Sequence, residues 1–357
     1  MPALDRISSR EPKADERPSR RAPREDQTKR LVRETLESSL SGLRQHRVLV
    51  QELRRLDFAD TESFHSERWC GLLEGGEPVR VFLKDLNPEH QTHLARKVRD
   101  ANLSPSYREV QVYSSILAPL RLGTPEFYGN RWDAKRGIYW LLLEDVGSSR
   151  LRESRNFARW LPAAEWAARF HAATRTLAKS VTKFLPCQSR LRFLNCAARI
   201  TRVLPRLENG DRQIIEPAVR RLVASIDQLA AFPQSVIHGQ YFGRNIMLRL
   251  RRPKRLIAPI DWETAVVGPS WYDLVSLTAG HWTRQQRLAL WRAYFDASRA
   301  ETASEVGWNT FCNCLRELEI CQALEWLNWW RSRSVSHNFG TWMKELERIM
   351  KDDPAIA

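Results

Sequence analysis

A chain of 357 residues has room for one large two-lobed domain or two ordinary ones, and 43% hydrophobic residues with 14 Trp exclude wholesale disorder. Its 57 Lys and Arg against 42 Asp and Glu leave a formal charge of +15. That excess favours an anionic partner (nucleotide, phosphorylated metabolite, nucleic acid or membrane surface) without choosing among them, and it equally suits a merely soluble basic surface.

Residues 1–30 are rich in Arg, Asp, Glu, Ser and Pro with almost nothing apolar, so they are expected to form a disordered, solvated arm. Interspersed acids argue against a transit peptide, and the absence of a secretory signal or long apolar run implies a cytoplasmic, reduced protein without membrane insertion. Residues 31–55 show helical spacing, with Leu31, Leu36, Leu40, Leu43 and Val48 sharing faces. From 56 to 147 strands dominate, in the order strand, strand, strand, helix, strand, strand. Two apolar runs flank Glu74-Gly75-Gly76-Glu77 as a hairpin; Ser104 caps the helix with Pro105 at its first position; two further strands surround Arg136-Gly137.

From 148 to 350 the pattern is mostly helical, opening with "NFARWLPAAEWAARFHAATRTL" and helices near 188–204 and 211–231. A hairpin over 236–262 interrupts it: a His-Gly loop, an apolar strand, a basic turn at 251–255 and a second apolar strand ending at Asp261. Helical, Trp-rich sequence is expected from there to about residue 350. Six cysteines form no CxxC pair; Cys312, Cys314 and Cys321 read as buried thiols in an aromatic helix. A small lobe of strands beside a large helical lobe predicts a cleft between them, where ligands generally bind.

Four elements converge on that cleft. Lys84 ends the strand "RVFLKDL", where alternation points it inward, and Glu109 on the following helix is a natural partner for its buried ammonium. In "YWLLLEDVG" an apolar strand ends in a polar crossover, whose backbone around Glu144 and Val146 suits an adenine edge or is an ordinary strand end. Asn245 and Asp261 lie on opposite strands of the hairpin and offer hard oxygen ligands suited to Mg²⁺ shared with nucleotide phosphates.

In these segments the chain resembles the aminoglycoside phosphotransferase and choline kinase superfamily, relatives of protein kinases. "HGQYFGRNIM" resembles the family's catalytic loop, "PIDWETAVVGPSWYDLVSL" its metal-binding segment, and "AARFHAA" at 167–173 a recurrent His-bearing helix. The likeness spans about 57 to 345. It implies an α+β protein-kinase-like fold, with a small antiparallel-sheet lobe and a larger helical lobe. It also implies that Lys84 binds the α and β phosphates of ATP, Glu109 holds Lys84, Asn245 and Asp261 hold Mg²⁺, and His238 and Asp273 brace the loop. Glu263 is either an orienting group or a surface acid.

Two departures stand out. Gln240 occupies the position of the family's catalytic aspartate, and a neutral amide cannot act as a general base, although it can orient a hydroxyl. "TESFHSERW" lacks glycine where a flexible turn usually covers the phosphates; Ser63 and Ser66 offer hydroxyl donors instead. Trp326, Trp329 and Trp330 either line a site for a ring-bearing or lipid-like acceptor or pack helix on helix. The expected function is ATP-dependent transfer of the γ-phosphate to a hydroxyl of a small molecule. The alternative is a catalytically impaired kinase-like protein that binds nucleotide and works through protein contacts. No nucleic-acid partner is expected, because "RLRRPKR" is a single charged turn without interleaved aromatics.

Overall fold

The structure, a computed structural model, describes residues 25–57, 64–91, 106–177, 179–249, 256–302, 306–332 and 336–351. The expected arm at 1–30 lies outside them up to residue 24. From Glu25 the chain is already helical, in α1 (Glu25–Arg44). The helix stops well short of residue 55. Gln45 takes a left-handed φ of 57°, Arg44 pairs with Glu77 at 2.7 Å, and Val50–Leu56 forms strand β1. A bulge between Val50 and Glu52 explains the misreading: it leaves Val50 and Leu53 buried with two exposed residues between them, which imitates helical spacing. Side chains of α1 receive the incoming strand, Ser41 accepting from Val48 N–H at 2.8 Å and Glu37 from Val50 N–H at 2.9 Å.

β2 (Ser66–Leu73), β3 (Pro78–Asp85), β4 (Phe127–Asp133) and β5 (Ile138–Glu144) complete an antiparallel sheet in the order β1-β2-β3-β5-β4. Strand alternation sorts its two faces. Val81, Leu83, Trp140 and Leu142 bury against Leu31, Leu36 and Leu40 of α1, each such leucine contributing about 2 kcal/mol. Leu43, grouped with them by spacing, is 57% exposed because the helix turns it off the sheet in its last turn. Phe82 and Lys84 face the other way, into the cleft. Helix α2 runs through Arg108–Val112, a π-helical turn at Tyr113–Leu117 and Ala118–Leu120, and packs Val110, Tyr113 and Leu117 against Leu141 and Leu143. Ser104 and Pro105 lie outside the described residues.

Beyond the crossover at Asp145–Gly147 comes the helical lobe: α3 (Leu161–Arg175), α4 (Arg190–Val203) and α5 (Asn209–Ala231). Two short antiparallel pairs follow, β6 (Gln234–Ile237) with β9 (Val266–Pro269), and β7 (Ile246–Leu248) with β8 (Ile257–Pro259). The helical sequence expected directly after Asp261 is therefore interrupted by β9, a four-residue run too short to show a period. Helices α6 (Tyr272–Thr278), α7 (Arg284–Glu301), α8 (Trp308–Ser332) and α9 (Ser336–Lys351) finish the lobe. Cys312, Cys314 and Cys321 are buried free thiols on α8. Among the described residues no helix is long and apolar enough to cross a membrane. The result is the expected α+β architecture: a small antiparallel sheet over a larger helical lobe, with a cleft between.

Candidate active site

Lys84 stands at the centre of the cleft. Its Nζ lies 2.8 Å from Glu109 Oε2 on α2 and 2.6 Å from Asp261 Oδ1 just beyond β8, so one ammonium ties together three elements from both lobes. Glu109 reaches further, its Oε1 accepting from Trp262 N–H at 3.2 Å. Burial opposes the Lys84 charge, but Asp261 and Glu109 outweigh it and raise its pKa above the usual lysine value. Burial raises the Glu109 carboxyl, with Asp261 and Glu263 adding to the effect against the pull of Lys84. The Phe64 ring lies 5.3 Å from Lys84 Nζ and lines the cleft. Ser66 lines the cleft and bonds to Phe64 O at 3.2 Å; Ser63 lies outside the described residues.

The loop after β6 is fixed by buried hydrogen bonds. Asp273 on α6 accepts from His238 N–H at 2.7 Å and Gly239 N–H at 2.9 Å, and meets His171 Nε2 at 3.1 Å. The His-bearing helix read from the sequence thus supports the loop through Asp273. His238 Nε2 donates to Ile260 O at 2.7 Å, while its Nδ1 accepts from Gln240 N–H at 3.3 Å. That pattern belongs to the neutral ring, and burial lowers its pKa against the opposing field of Asp273. Gly239 has φ +79°, and a Cβ there would lie 2.7 Å from Thr264 O; the turn needs glycine on both counts.

Asn245 and Asp261 are brought together by the β7–β8 pairing, with Ile260 N–H bonded to Asn245 O at 2.9 Å. Asn245 Nδ2 donates to Gln240 O at 3.0 Å, which leaves its Oδ1 as the free end of the amide. Asp261 takes a left-handed φ of 66°, which an Asp side chain tolerates better than most. One amide oxygen and one carboxylate fit a hard divalent cation that completes its shell with phosphate and water, and are too few to hold it alone. The Gln240 side chain is half-buried and makes no hydrogen bond to a described residue.

Lys84, Glu109, Glu144, Val146, Asn245 and Asp261 all line one cleft with about 940 Å³ of open space. Gln240 does not contribute to its wall. Glu144 differs in detail from the backbone role expected of it: its N–H is committed to Glu126 O at 2.8 Å, and its carboxylate is clamped by Arg249, with Nη2 at 2.8 Å from Oε2. Arg80 and Arg68 hold neighbouring Asp145 at 3.0 and 3.5 Å, so three arginines pin the crossover between lobes. Val146 follows on the open part of that crossover. Sequence reasoning missed these arginines, whose only signal was the excess of basic residues. It also missed Arg244, which lines both this cleft and a second cavity beneath α8 and α9. Trp326 faces that second cavity, and Trp329 packs edge-on against Trp326 at 5.4 Å; the Trp330 side chain lies outside the described residues. Arg108 Nη1 donates to the backbone carbonyl of Glu263 at 3.2 Å, and the Glu263 carboxylate contributes to the field at Lys84.

The sequence model of the phosphotransferase enzyme family matches residues 69–306. No curated protein matches the chain. Solved structures do. A putative aminoglycoside phosphotransferase from Ralstonia eutropha JMP134 is 15% identical with a TM-score of 0.55, over 90% of this chain and 98% of that one. The GDP complex of wild-type aminoglycoside 2'-phosphotransferase-IIIa gives 13% and 0.54, over 89% and 98%. Macrolide 2'-phosphotransferase MphH from Brachybacterium faecium gives 15% and 0.52, over 88% and 98%. At these identities the likeness is one of fold.

Proposed function

The chain belongs to the phosphotransferase enzyme family, and from that premise we propose that it transfers the γ-phosphoryl group of ATP to a hydroxyl of a small molecule. The observation that carries this reading is Lys84, held at 2.8 and 2.6 Å by Glu109 and Asp261 beside Asn245 in the cleft between the lobes. Lys84 binds α- and β-phosphate oxygens once the triphosphate competes for its ammonium, and Glu109 keeps it in position. Asn245 Oδ1 and the Asp261 carboxylate would hold Mg²⁺, which would supply charge neutralisation at the phosphates. The crossover backbone around Glu144 and Val146, which lines the same cleft, would pair with the adenine edge.

In the transfer, the acceptor oxygen bonds to the γ-phosphorus while the β–γ bridging P–O bond breaks and its electrons leave with ADP. Gln240 accepts a hydrogen bond from the acceptor hydroxyl and orients it but takes no proton. The proton passes late, to a transferred phosphoryl oxygen or to water, because a loose transition state needs positioning above basicity. The missing base costs a share of the ~10²–10⁴-fold that such groups supply, and the rest of the apparatus remains.

Thermal unfolding with and without Mg²⁺·ATP, followed by ATP turnover over a panel of hydroxyl metabolites, tests this. Stabilisation by Mg²⁺·ATP that disappears in Asp261→Asn, together with turnover on some acceptor, supports it. Stabilisation without turnover even in Gln240→Asp favours a nucleotide-binding protein that acts through protein contacts. Wild type indifferent to Mg²⁺·ATP removes nucleotide binding altogether.

A further inference from the structure

The second cavity has about 1670 Å³ of open space between the 236–245 loop, the segment after α6, and helices α8 and α9. Four half-buried aromatic side chains line it: Phe242, Trp282, Trp326 and Trp342. Trp326 and Trp342 lie nearly parallel, with centroids 5.7 Å apart and planes 9° apart, and Phe242 meets Trp326 edge-on at 5.7 Å. Aromatic faces left partly open to water around a cavity offer a flat apolar body both burial and stacking.

Basic groups outnumber acidic ones on the same wall. Arg244, Lys344 and Arg348 line the cavity against a single carboxylate among the described residues, Glu345. That carboxylate is already engaged by Arg348 at 2.9 Å, and Arg348 also reaches Glu319 at 3.1 Å. Arg244 stands over the Phe242 ring, its guanidinium carbon 4.9 Å from the centroid, and borders both cavities. A molecule seated among the tryptophans therefore reaches the cleft past a guanidinium. The loop position nearest the reaction, Gln240, adds no negative charge. A polycation entering this cavity would meet like charge and, among the described residues, find no lining carboxylate outside an ion pair, whereas an anion would meet Lys344 and Arg244.

We propose that this cavity seats the acceptor, and that the acceptor is an anionic, ring-bearing alcohol (a carboxylate or phosphate monoester on a flat apolar body) rather than a polycation. Naming the ligand an acceptor rests on the phosphotransferase reading; the ligand class rests on the cavity alone. Calorimetric titration of the full chain without nucleotide separates the two. The probes are para-hydroxymethylbenzoate, para-hydroxymethylphenyl phosphate, the uncharged para-hydroxymethylbenzamide and the aminoglycoside kanamycin. Both anions are expected to bind, with the amide about 3- to 10-fold weaker and the aminoglycoside weakest. The stronger of the two anions identifies the source of the charge. Lys344→Glu, an exposed position that leaves the core untouched, is expected to erase the preference for anion over amide, and Trp342→Ala to weaken anion and amide together. The inference is overturned if the aminoglycoside binds as tightly as the anions, if amide and anion bind alike to wild type, or if none of the probes binds. Failure of Mg²⁺·ATP stabilisation with anion selectivity intact would instead overturn the phosphotransferase reading and leave the ligand class standing.

Discussion

In the cleft under the sheet, one buried ammonium is shared by two carboxylates at 2.8 and 2.6 Å, and every group answers to another. In the cavity under the C-terminal helices, Trp326 stacks on Trp342 at 5.7 Å and meets Trp329 edge-on at 5.4 Å, with charged side chains on the same wall. The first is held together by desolvated charges that are costly to leave alone; the second by many small, nearly additive dispersion contacts. One lost partner should therefore be felt sharply in the cleft, while the cavity should respond by degrees.

The largest effects are expected where the charge triad is broken. Lys84→Met leaves Glu109 and Asp261 facing each other without a cation and should cost about 3–5 kcal/mol in urea unfolding. Adding Glu109→Gln should recover part of that, because one of the two like charges is gone. Asp261→Asn keeps a residue suited to the left-handed backbone and removes only the charge. It should abolish the Mg²⁺·ATP stabilisation, which for wild type at a hundredfold excess over Kd is about 2.7 kcal/mol. If Lys84→Met were as mild as Trp342→Ala, the contrast between the two regions would collapse.

The loop itself comes next. Gln240→Asp should raise turnover about 10- to 100-fold with nucleotide stabilisation unchanged, since it adds a base without touching Lys84, Asn245 or Asp261. Steady-state kinetics on an identified acceptor would check it; an unchanged kcat would mean that the proton leaves without help from this position. Gly239→Ala should destabilise the fold by about 2 kcal/mol or more, because the backbone is left-handed there and the new methyl lies 2.7 Å from Thr264 O. A calorimetric Tm within error of wild type would mean that the loop can shift its backbone, against the rigidity its hydrogen bonds imply.

The same contrast explains what could be read from the chain. That Lys84, Glu109, Asn245 and Asp261 meet in one cleft was legible because Lys84, Asn245 and Asp261 sit in short polar motifs at strand ends and Glu109 opens the following helix. The cavity wall comes from Phe242, Trp282, Trp326 and Trp342, spread over a hundred positions and joined by two loops and two helices, so the Trp-rich helix alone could suggest only part of it. The β1 strand was hidden for a different reason: its bulge turned a period of two into an apparent period of three. Arg249 sits one residue past a three-residue strand, and nothing in its neighbourhood distinguishes it from the basic turn that follows.

The smallest expected effect is a pH dependence that belongs to the cleft side alone. His238 is neutral in the fold, with Nε2–H given to Ile260 O and Nδ1 accepting from Gln240 N–H; a proton on Nδ1 would set two donors against each other. Burial lowers its pKa below the usual histidine value, so as pH falls through about 6.5 the unfolded chain takes up a proton that the folded chain refuses. Stability from this group is thus complete above that pH and is lost progressively below it, down to the depressed folded value, at 1.36 kcal/mol for each unit of difference. Urea midpoints of wild type should decline on acidification from about pH 7.5 to 5.5 more steeply than those of His238→Gln, which keeps an amide donor but cannot titrate. Trp342→Ala should decline in parallel with wild type. Equal slopes for wild type and His238→Gln would mean that the ring is free to charge in place, and that the loop beneath Gln240 is looser than its hydrogen bonds require.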